Sequence, residues 1–353
     1  MSVRTDYSQN LMPFLAQLEP DEAGPDPALV AARYSIPLEK VTVLSRNENP
    51  YGPSPRVREA LKGVQLQSYP DSRIFVQALS DYTGHPPEEI VVGAGMDEVI
   101  SIMARLFLGR DDRALIPIPT YTYYALVVRL CGGEPVYRHR LAGFYVDPDV
   151  SLERTKMIFL CSPNNPTGNA LSEKTVRAIV EGTEGVVFLD EAYAEFAEGS
   201  LLELVNDYDN LVVGRTLSKA FGLAGLRLGY AVAPPWIAEQ YRRMAPLFSI
   251  SSLSLAAGVA ALRDLGYMRQ TASKIISERE RMRTKLGDVD SSQGNFLYLR
   301  TEEESGLVAN RLLSQGIVVR DCSVFPGAGE HHLRVSVGRP EQNDLFLEAF
   351  REG

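Results

Sequence analysis

Residues 211–230 read LVVGRTLSKAFGLAGLRLGY. The apolar runs 211–215 and 228–233 have strand length, and the turn between them is crowded with small residues, Ala220, Gly222, Ala224 and Gly225. Thr216, Ser218, Lys219 and Arg227 stand in or beside that turn. A lysine is ordinarily a solvated surface group. Hydroxyls and a guanidinium around one in a glycine-rich turn suit an anion clamp next to an amine nucleophile.

Upstream, the same rhythm repeats. Strands are predicted at 90–92, 113–117, 156–161 and 185–190. Helices before and between them are marked by Ser54 followed by Pro55, a cap and first-turn pair, and by Val99, Ile100, Met103, Ala104 and Phe107 at helical spacing. Strands alternating with helices imply an α/β fold with a mostly parallel sheet covered on both faces. Beyond 235 the pattern changes. Helical stretches at 237–243, 254–265 and 268–286 precede strand candidates at 295–299, 317–320 and 333–337 and a last helix over 341–350. The expected division is a large domain over 46–235 and a smaller α+β domain built from 236–353 and the arm 1–45.

The 353 residues suffice for about two domains. With 36 Lys and Arg against 45 Asp and Glu, the net charge of −9 argues against a nucleic-acid partner but leaves room for a local cationic pocket. No window approaches the roughly 18 apolar residues of a membrane span, and residues 1–22 lack the pattern of a secretory signal. Cys131, Cys161 and Cys322 are odd in number, form no CxxC pair and have no histidine at metal-ligand spacing. The expectation is a cytoplasmic protein in a reducing compartment, with no metal site.

In an open parallel sheet, ligands bind beyond the carboxyl ends of the strands, where loops and helix N-termini converge. After 90–92 comes GAGMDE, 93–98, whose glycines admit close backbone approach and whose first-turn amides face an anion. It differs from a dinucleotide fingerprint in having Glu98 where the third glycine would stand, and a plain strand-to-helix turn reads the same way. IPIPTYTYY places Tyr121, Tyr123 and Tyr124 past the next strand, either to stack on a planar ligand or to pack under a loop. SPNNPTGN, 162–169, is a proline-containing turn that can hold Asn165 at the sheet edge. GVVFLDEAYAEF, 185–196, closes its apolar run on Asp190, with Tyr193 three residues on. Asp190 either caps the next helix or pairs with a protonated ring nitrogen. In HLRVSV, 332–337, the alternation puts Arg334 either on a solvent face or on a ligand face.

NENPYGPSP (47–55), YPD (69–71), GAGMDE, SPNNPTG (162–168), DEAY (190–193), TLSKAFGLAGLRLGY (216–230) and LRVSVG (333–338) run in order over nearly the whole chain. Together they resemble the fold type I pyridoxal-phosphate aminotransferases, and among these the histidinol-phosphate aminotransferase family. The resemblance implies pyridoxal 5′-phosphate as cofactor, with Lys219 as the lysine that anchors it and then moves a proton as general acid and base. It implies that Asp190 pairs with the pyridine nitrogen, that Asn165 and Tyr193 hydrogen-bond the ring's phenolic oxygen, and that Tyr121 stacks on the ring. For the cofactor phosphate it implies the amides of Gly95, Met96 and Asp97, the hydroxyls of Thr216 and Ser218, and Arg227.

On the substrate side, the resemblance implies that Arg334 grips an α-carboxylate and that Arg320 receives a substrate phosphate together with Tyr51. In this family the residue matching Tyr51 reaches into the neighbouring subunit's site, which implies a homodimer. The implied reaction is transamination between histidinol phosphate and 2-oxoglutarate, giving glutamate, in histidine biosynthesis. One segment departs from the pattern: DCSVFPGAGEHH, 321–332, carries His331 and His332, expected as loop residues rather than metal ligands. It leaves the substrate open among phosphate-bearing and aromatic amines. A threonine-phosphate decarboxylase or an aromatic amino-acid aminotransferase would use the same scaffold. A nicotinamide-dependent dehydrogenase, suggested by the GxG turn alone, would leave Lys219 without a role. A ligand-sensing regulator on this scaffold would need a nucleic-acid-binding module, for which length and charge leave no obvious room.

Overall fold

The computed structural model describes residues 10, 11, 14, 15, 24–148 and 155–351. Its strands are β1 (Thr42–Val43), β2 (Ile90–Ala94), β3 (Arg113–Ile118), β4 (Glu134–His139), β5 (Thr155–Cys161), β6 (Val186–Asp190), β7 (Leu211–Thr216), β8 (Leu228–Val232), β9 (Phe296–Arg300), β10 (Ile317–Val318), β11 (Arg320–Asp321) and β12 (His332–Ser336). Seven form one sheet in the order β2-β8-β7-β6-β5-β3-β4, in which β8 runs antiparallel to both neighbours and the other pairings are parallel. The mostly parallel α/β architecture expected from the alternation is present.

Every residue of β6, β7 and β8 is buried, so these strands read as near-continuous apolar runs rather than alternating ones, with Asp190, Arg215 and Thr216 at the carboxyl ends. On one face Val99, Ile100 and Met103 of helix Met96–Phe107 join Val127 and Val128 of helix Tyr123–Leu130 and Ile237 and Tyr241 of helix Pro235–Met244 in one apolar cluster. On the other, Phe75, Leu79, Val176, Ile179 and Leu255 pack against Leu189, Leu211, Val213 and Leu228. Gly229 of β8 lets the backbone close up: a Cβ there would lie 2.4 Å from the carbonyl carbon of Gly95 and from the nitrogen of Met96.

The C-terminal part carries a second, three-stranded antiparallel sheet, β11-β12-β9, and β1 pairs in parallel with β10. The single strand expected over 317–320 is therefore two strands in different sheets. Val318 lies opposite Val43, whereas Arg320 lies opposite Arg334. The sequence reading also omitted β4 and helix Tyr123–Leu130. β4 is an edge strand with Pro135 in its body and exposed ends, which gives it little apolar signature. Among the described residues no helix is long and apolar enough to cross a membrane.

Candidate active site

The carboxyl ends of β5, β6 and β7 lie side by side, with Cys161 opposite Asp190 and Asp190 opposite Gly214. A cavity of about 1500 Å³ opens beyond them, lined by Asp190, Asn165, Tyr193, Thr216, Ser218 and Lys219 from these strand ends and the turns after them. Met96, Asp97, Tyr121, Arg227, Arg320 and Arg334 line it as well.

Asp190 is 3% exposed. Tyr124 Oη donates to its Oδ2 at 2.6 Å and the Ala192 amide to its Oδ1 at 2.9 Å. Burial raises its carboxyl to about 6, although both hydrogen bonds pull the other way. A carboxylate placed so is short of a cation. Tyr124, fully buried and stacked on Phe159 at 5.0 Å, takes the packing alternative that the tyrosine run left open, and its bond to Asp190 is a part that sequence reasoning did not assign.

The turn after β5 is fixed by Asn164. Its Oδ1 accepts from Thr120 Oγ1 at 2.7 Å and from Arg140 Nη2 at 2.8 Å, and its Nδ2 donates to Pro119 O at 3.0 Å. Asn165 beside it accepts at Oδ1 from Arg334 Nη1, leaving its amide hydrogens for the cavity. Tyr193 Oη accepts from Asn47 Nδ2 at 3.0 Å. Lys219 Nζ donates to Arg46 O at 3.1 Å and lies 5.8 Å from the centre of the Tyr193 ring. Burial lowers its ammonium to about 8, the Arg334 charge adding to the effect and Glu48 opposing it. An amine poised at that value is a usable nucleophile and proton carrier near neutrality.

Another part of the cavity wall forms a cradle for an anion. Met96 and Asp97 open their helix at the cavity wall, while the Gly95 amide is itself committed to Gly93 O at 2.8 Å. A Cβ at Gly95, whose φ is 84°, would lie 2.6 Å from Arg227 Nη2, so a side chain would fill this space. Arg227 takes φ 49°, a conformation uncommon for a non-glycine residue, and reaches Asp97 Oδ2 at 2.7 Å. Thr216 Oγ1 and Ser218 Oγ lie 3.0 Å apart beside it. Tyr121 Oη donates to Asp97 Oδ1 at 3.0 Å.

Two arginines, Arg320 of β11 and Arg334 of β12, are paired positions in the antiparallel register. Arg334 is 6% exposed and donates to Ser45 O at 2.6 Å, and Arg320 lies 5.5 Å from the Phe325 ring. The unfamiliar segment 321–332 thus contributes Val324, Phe325 and Pro326 to the cavity wall. His332 stacks on Tyr298 at 4.6 Å and His331 lies against Glu303 O, and neither lines the cavity. Among the described residues no group of three or more His, Cys, Asp or Glu could hold a metal ion. Tyr51 stands apart from the others, outside the cavity walls, with Lys274 Nζ at 5.2 Å and Arg339 Cζ at 5.7 Å from its ring centre.

The family model for aminotransferase class I and II matches residues 39–350. A histidinol-phosphate aminotransferase of Methanosarcina mazei is 44% identical over 332 residues, 91% of this chain and 90% of the relative. Another, from Archaeoglobus fulgidus, is 42% identical over 88% of this chain and 98% of its own length. The crystal structure of histidinol-phosphate aminotransferase from Sinorhizobium meliloti, in complex with pyridoxal-5′-phosphate, superposes with a TM-score of 0.87 at 25% identity, covering 99% of both chains. A strand-end cavity lined by Lys219, a buried carboxylate and two arginines, read with these matches, makes the chain a member of the class I and II aminotransferases and, within them, of the histidinol-phosphate aminotransferase family.

Proposed function

We propose that this aminotransferase works with pyridoxal 5′-phosphate and moves an amino group between histidinol phosphate and 2-oxoglutarate, a step of histidine biosynthesis. The observation that carries the substrate reading is the pair Arg320 and Arg334, opposed across two strands and both facing the cavity. Like charges directly opposite each other repel. The arrangement suits a pocket whose occupants bring a carboxylate in one half-reaction and a phosphate in the other.

The residues present fit the cofactor by the chemistry of their donors: an amine, a buried carboxylate short of a cation, and an anion cradle that a Cβ at Gly95 would close. Pyridoxal phosphate supplies an aldehyde that links to amines and a ring that takes up the electrons left when a Cα proton departs. In this reading Lys219 anchors the aldehyde carbon and afterwards carries the proton at Nζ. Asp190 keeps a proton on the ring nitrogen, and Asn165 and Tyr193 donate to the phenolic oxygen. Tyr121 covers one ring face. The amides of Met96 and Asp97, the hydroxyls of Thr216 and Ser218 and the fork of Arg227 bind the phosphate, and Gly95 provides the close approach.

Arg334 then holds the α-carboxylate, and Arg320 holds the substrate phosphate with Tyr51 of a second copy of the chain. A homodimer is further supported by exposed apolar side chains, Leu66, Tyr69, Leu247 and Phe248, with Tyr69 stacked on Phe248 at 4.4 Å. The double variant Leu247→Asp, Phe248→Asp is expected to weaken association about 30-fold or more and to lower activity with it. Sedimentation velocity measures this, and an unchanged dimer would remove that surface from the interface. The free thiols Cys131, Cys161 and Cys322 suit a reducing, cytoplasmic compartment.

The functional test is direct. Purified protein given histidinol phosphate and 2-oxoglutarate should release glutamate, and it should release no carbon dioxide from threonine phosphate. Carbon dioxide without glutamate would make it a decarboxylase, and a preference for aromatic donors would move the substrate assignment. Arg320→Ala is expected to raise KM for histidinol phosphate about ten- to hundredfold while changing KM for glutamate far less, because a charge-assisted contact of about 1.5–3 kcal/mol is lost on one substrate only. Equal effects on both substrates would contradict the division of labour between the two arginines.

A further inference from the structure

Three consecutive residues hold three cavity side chains. Ser45 O accepts from Arg334 Nη2, Arg46 O accepts from Lys219 Nζ, and Asn47 Nδ2 donates to Tyr193 Oη. The first two contacts use backbone carbonyls, which any residue supplies. The third depends on a side chain.

Asn47 is 1% exposed and takes φ 53°, a left-handed conformation that asparagine tolerates better than most non-glycine residues. The surrounding hydrogen bonds settle which way its amide faces. Ser336 Oγ accepts from the Asn47 backbone N–H at 2.8 Å and donates its own hydrogen to Asn47 Oδ1 at 2.9 Å. Turning the amide over would place two donors on that hydroxyl and leave its hydrogen without an acceptor. Asn295 Nδ2 pins the Asn47 carbonyl at 2.9 Å. Nδ2 is therefore the atom presented to Tyr193.

We propose that Asn47 is a positioning residue for Tyr193: by donating to Oη it turns the phenolic hydrogen into the cavity, making Tyr193 a donor there. Asn165 is oriented by the same logic, because Arg334 occupies its Oδ1 and leaves Nδ2 for the cavity. Two side chains 28 positions apart in sequence, on different turns, are thus both set as donors towards one spot. The inference rests on the cofactor reading above, in which that spot is the acidic phenolic oxygen. Two fixed donors favour its anionic form and lower the proton affinity of the bound chromophore. The groups facing Tyr193 from the surrounding elements are Arg334, Lys219, Asp190 and Cys161, and all remain in the variants used to test the idea.

The test is a pH titration of the holoenzyme's visible absorption band, which reads protonation rather than turnover. Asn47→Gly tolerates the positive φ and removes the donor; Asn47→Asp keeps the shape but can only accept, drawing the phenolic hydrogen away from the cavity. The expected midpoint rises by about one pH unit, tenfold in proton affinity, for Asn47→Gly and by more for Asn47→Asp. Tyr193→Phe should shift it in the same direction. On the Tyr193→Phe background neither Asn47 change should shift it further, since Asn47 acts through that hydroxyl. A midpoint unmoved in Asn47→Gly and Asn47→Asp, or a shift that persists in full without the Tyr193 hydroxyl, overturns the proposal. If the glycine variant does not fold, the aspartate variant alone with and without Tyr193→Phe makes the same comparison. A parent protein that shows no cofactor band after reconstitution would end the functional reading and this inference together; a normal band with unshifted variants would end only this one.

Discussion

Lys219→Ala is expected to lower kcat for glutamate formation about 10⁴-fold or more, because in the proposed mechanism one side chain is both the covalent anchor and the proton carrier. Among the described residues lining the cavity it is the one lysine, so no neighbour can take over. Lys219→Arg separates charge from chemistry. It keeps a cation in place, yet a guanidinium does not give up its proton near neutrality, and the loss should be as large. Borohydride reduction followed by peptide mass spectrometry supplies the second readout: a cofactor adduct at position 219 in the parent and none in either variant. An adduct on another residue, or activity above roughly 1% in Lys219→Ala, would overturn the assignment of Lys219.

The same lysine affects stability. Its ammonium titrates at about 8 in the folded apoprotein, below its ordinary value of 10.5. The unfolded chain therefore binds more protons between these values, and folding becomes more favourable as pH rises through that window. Below about pH 8 the full cost of burying the charge is present.

Asp190→Asn should separate function from stability in the opposite sense. The variant keeps the shape, its Oδ1 accepting from the Ala192 amide and its Nδ2 donating to Tyr124, but it lacks the charge that the proposed role, holding a proton on the ring nitrogen, requires. A fall in kcat of about 10²–10³-fold is expected, the scale of losing one preorganised electrostatic partner. The covalent adduct at Lys219 should survive, which distinguishes this loss from that of Lys219→Ala.

Apoprotein stability should move the other way. The Asp190 carboxyl titrates at about 6 when folded against 3.8 ordinarily, so the folded state binds more protons between these values and stability falls as pH rises from about 4 to about 6. Above that window the buried charge costs about 3 kcal/mol. Asp190→Asn should raise the Tm of the apoprotein at pH 8 and leave it nearly unchanged at pH 4, as measured by calorimetry. A variant as active as the parent, or one with a lower Tm at pH 8, would show that Asp190 is not a carboxylate held ready for a cation.

Most of the sheet was visible along the chain. β5, β6 and β7 run within one residue of their expected bounds because a strand buried on both faces leaves an uninterrupted apolar run, and a run is a local property. The polar residues that interrupt these runs at their carboxyl ends, Asp190 and Thr216, mark the cavity edge for the same reason. The tyrosine run was less legible, since periodicity does not separate Tyr121, which lines the cavity, from Tyr124, which holds Asp190 from beneath.

The order of motifs and the type of side chain at each strand end, read from residue to residue, suffice for the fold class and the family, and they single out Lys219 as the candidate anchor. Packing alone set which side chain orients which. Tyr124 meets Asp190 across 66 positions, Asn47 meets Tyr193 across 146, and Arg334 meets Asn165 across 169. The run 317–320 has to change sheets before Arg320 can face Arg334. Strand length and turn type depend on neighbours in the chain, whereas a hydrogen bond between distant side chains depends on how whole layers settle against one another, and no local spacing encodes that.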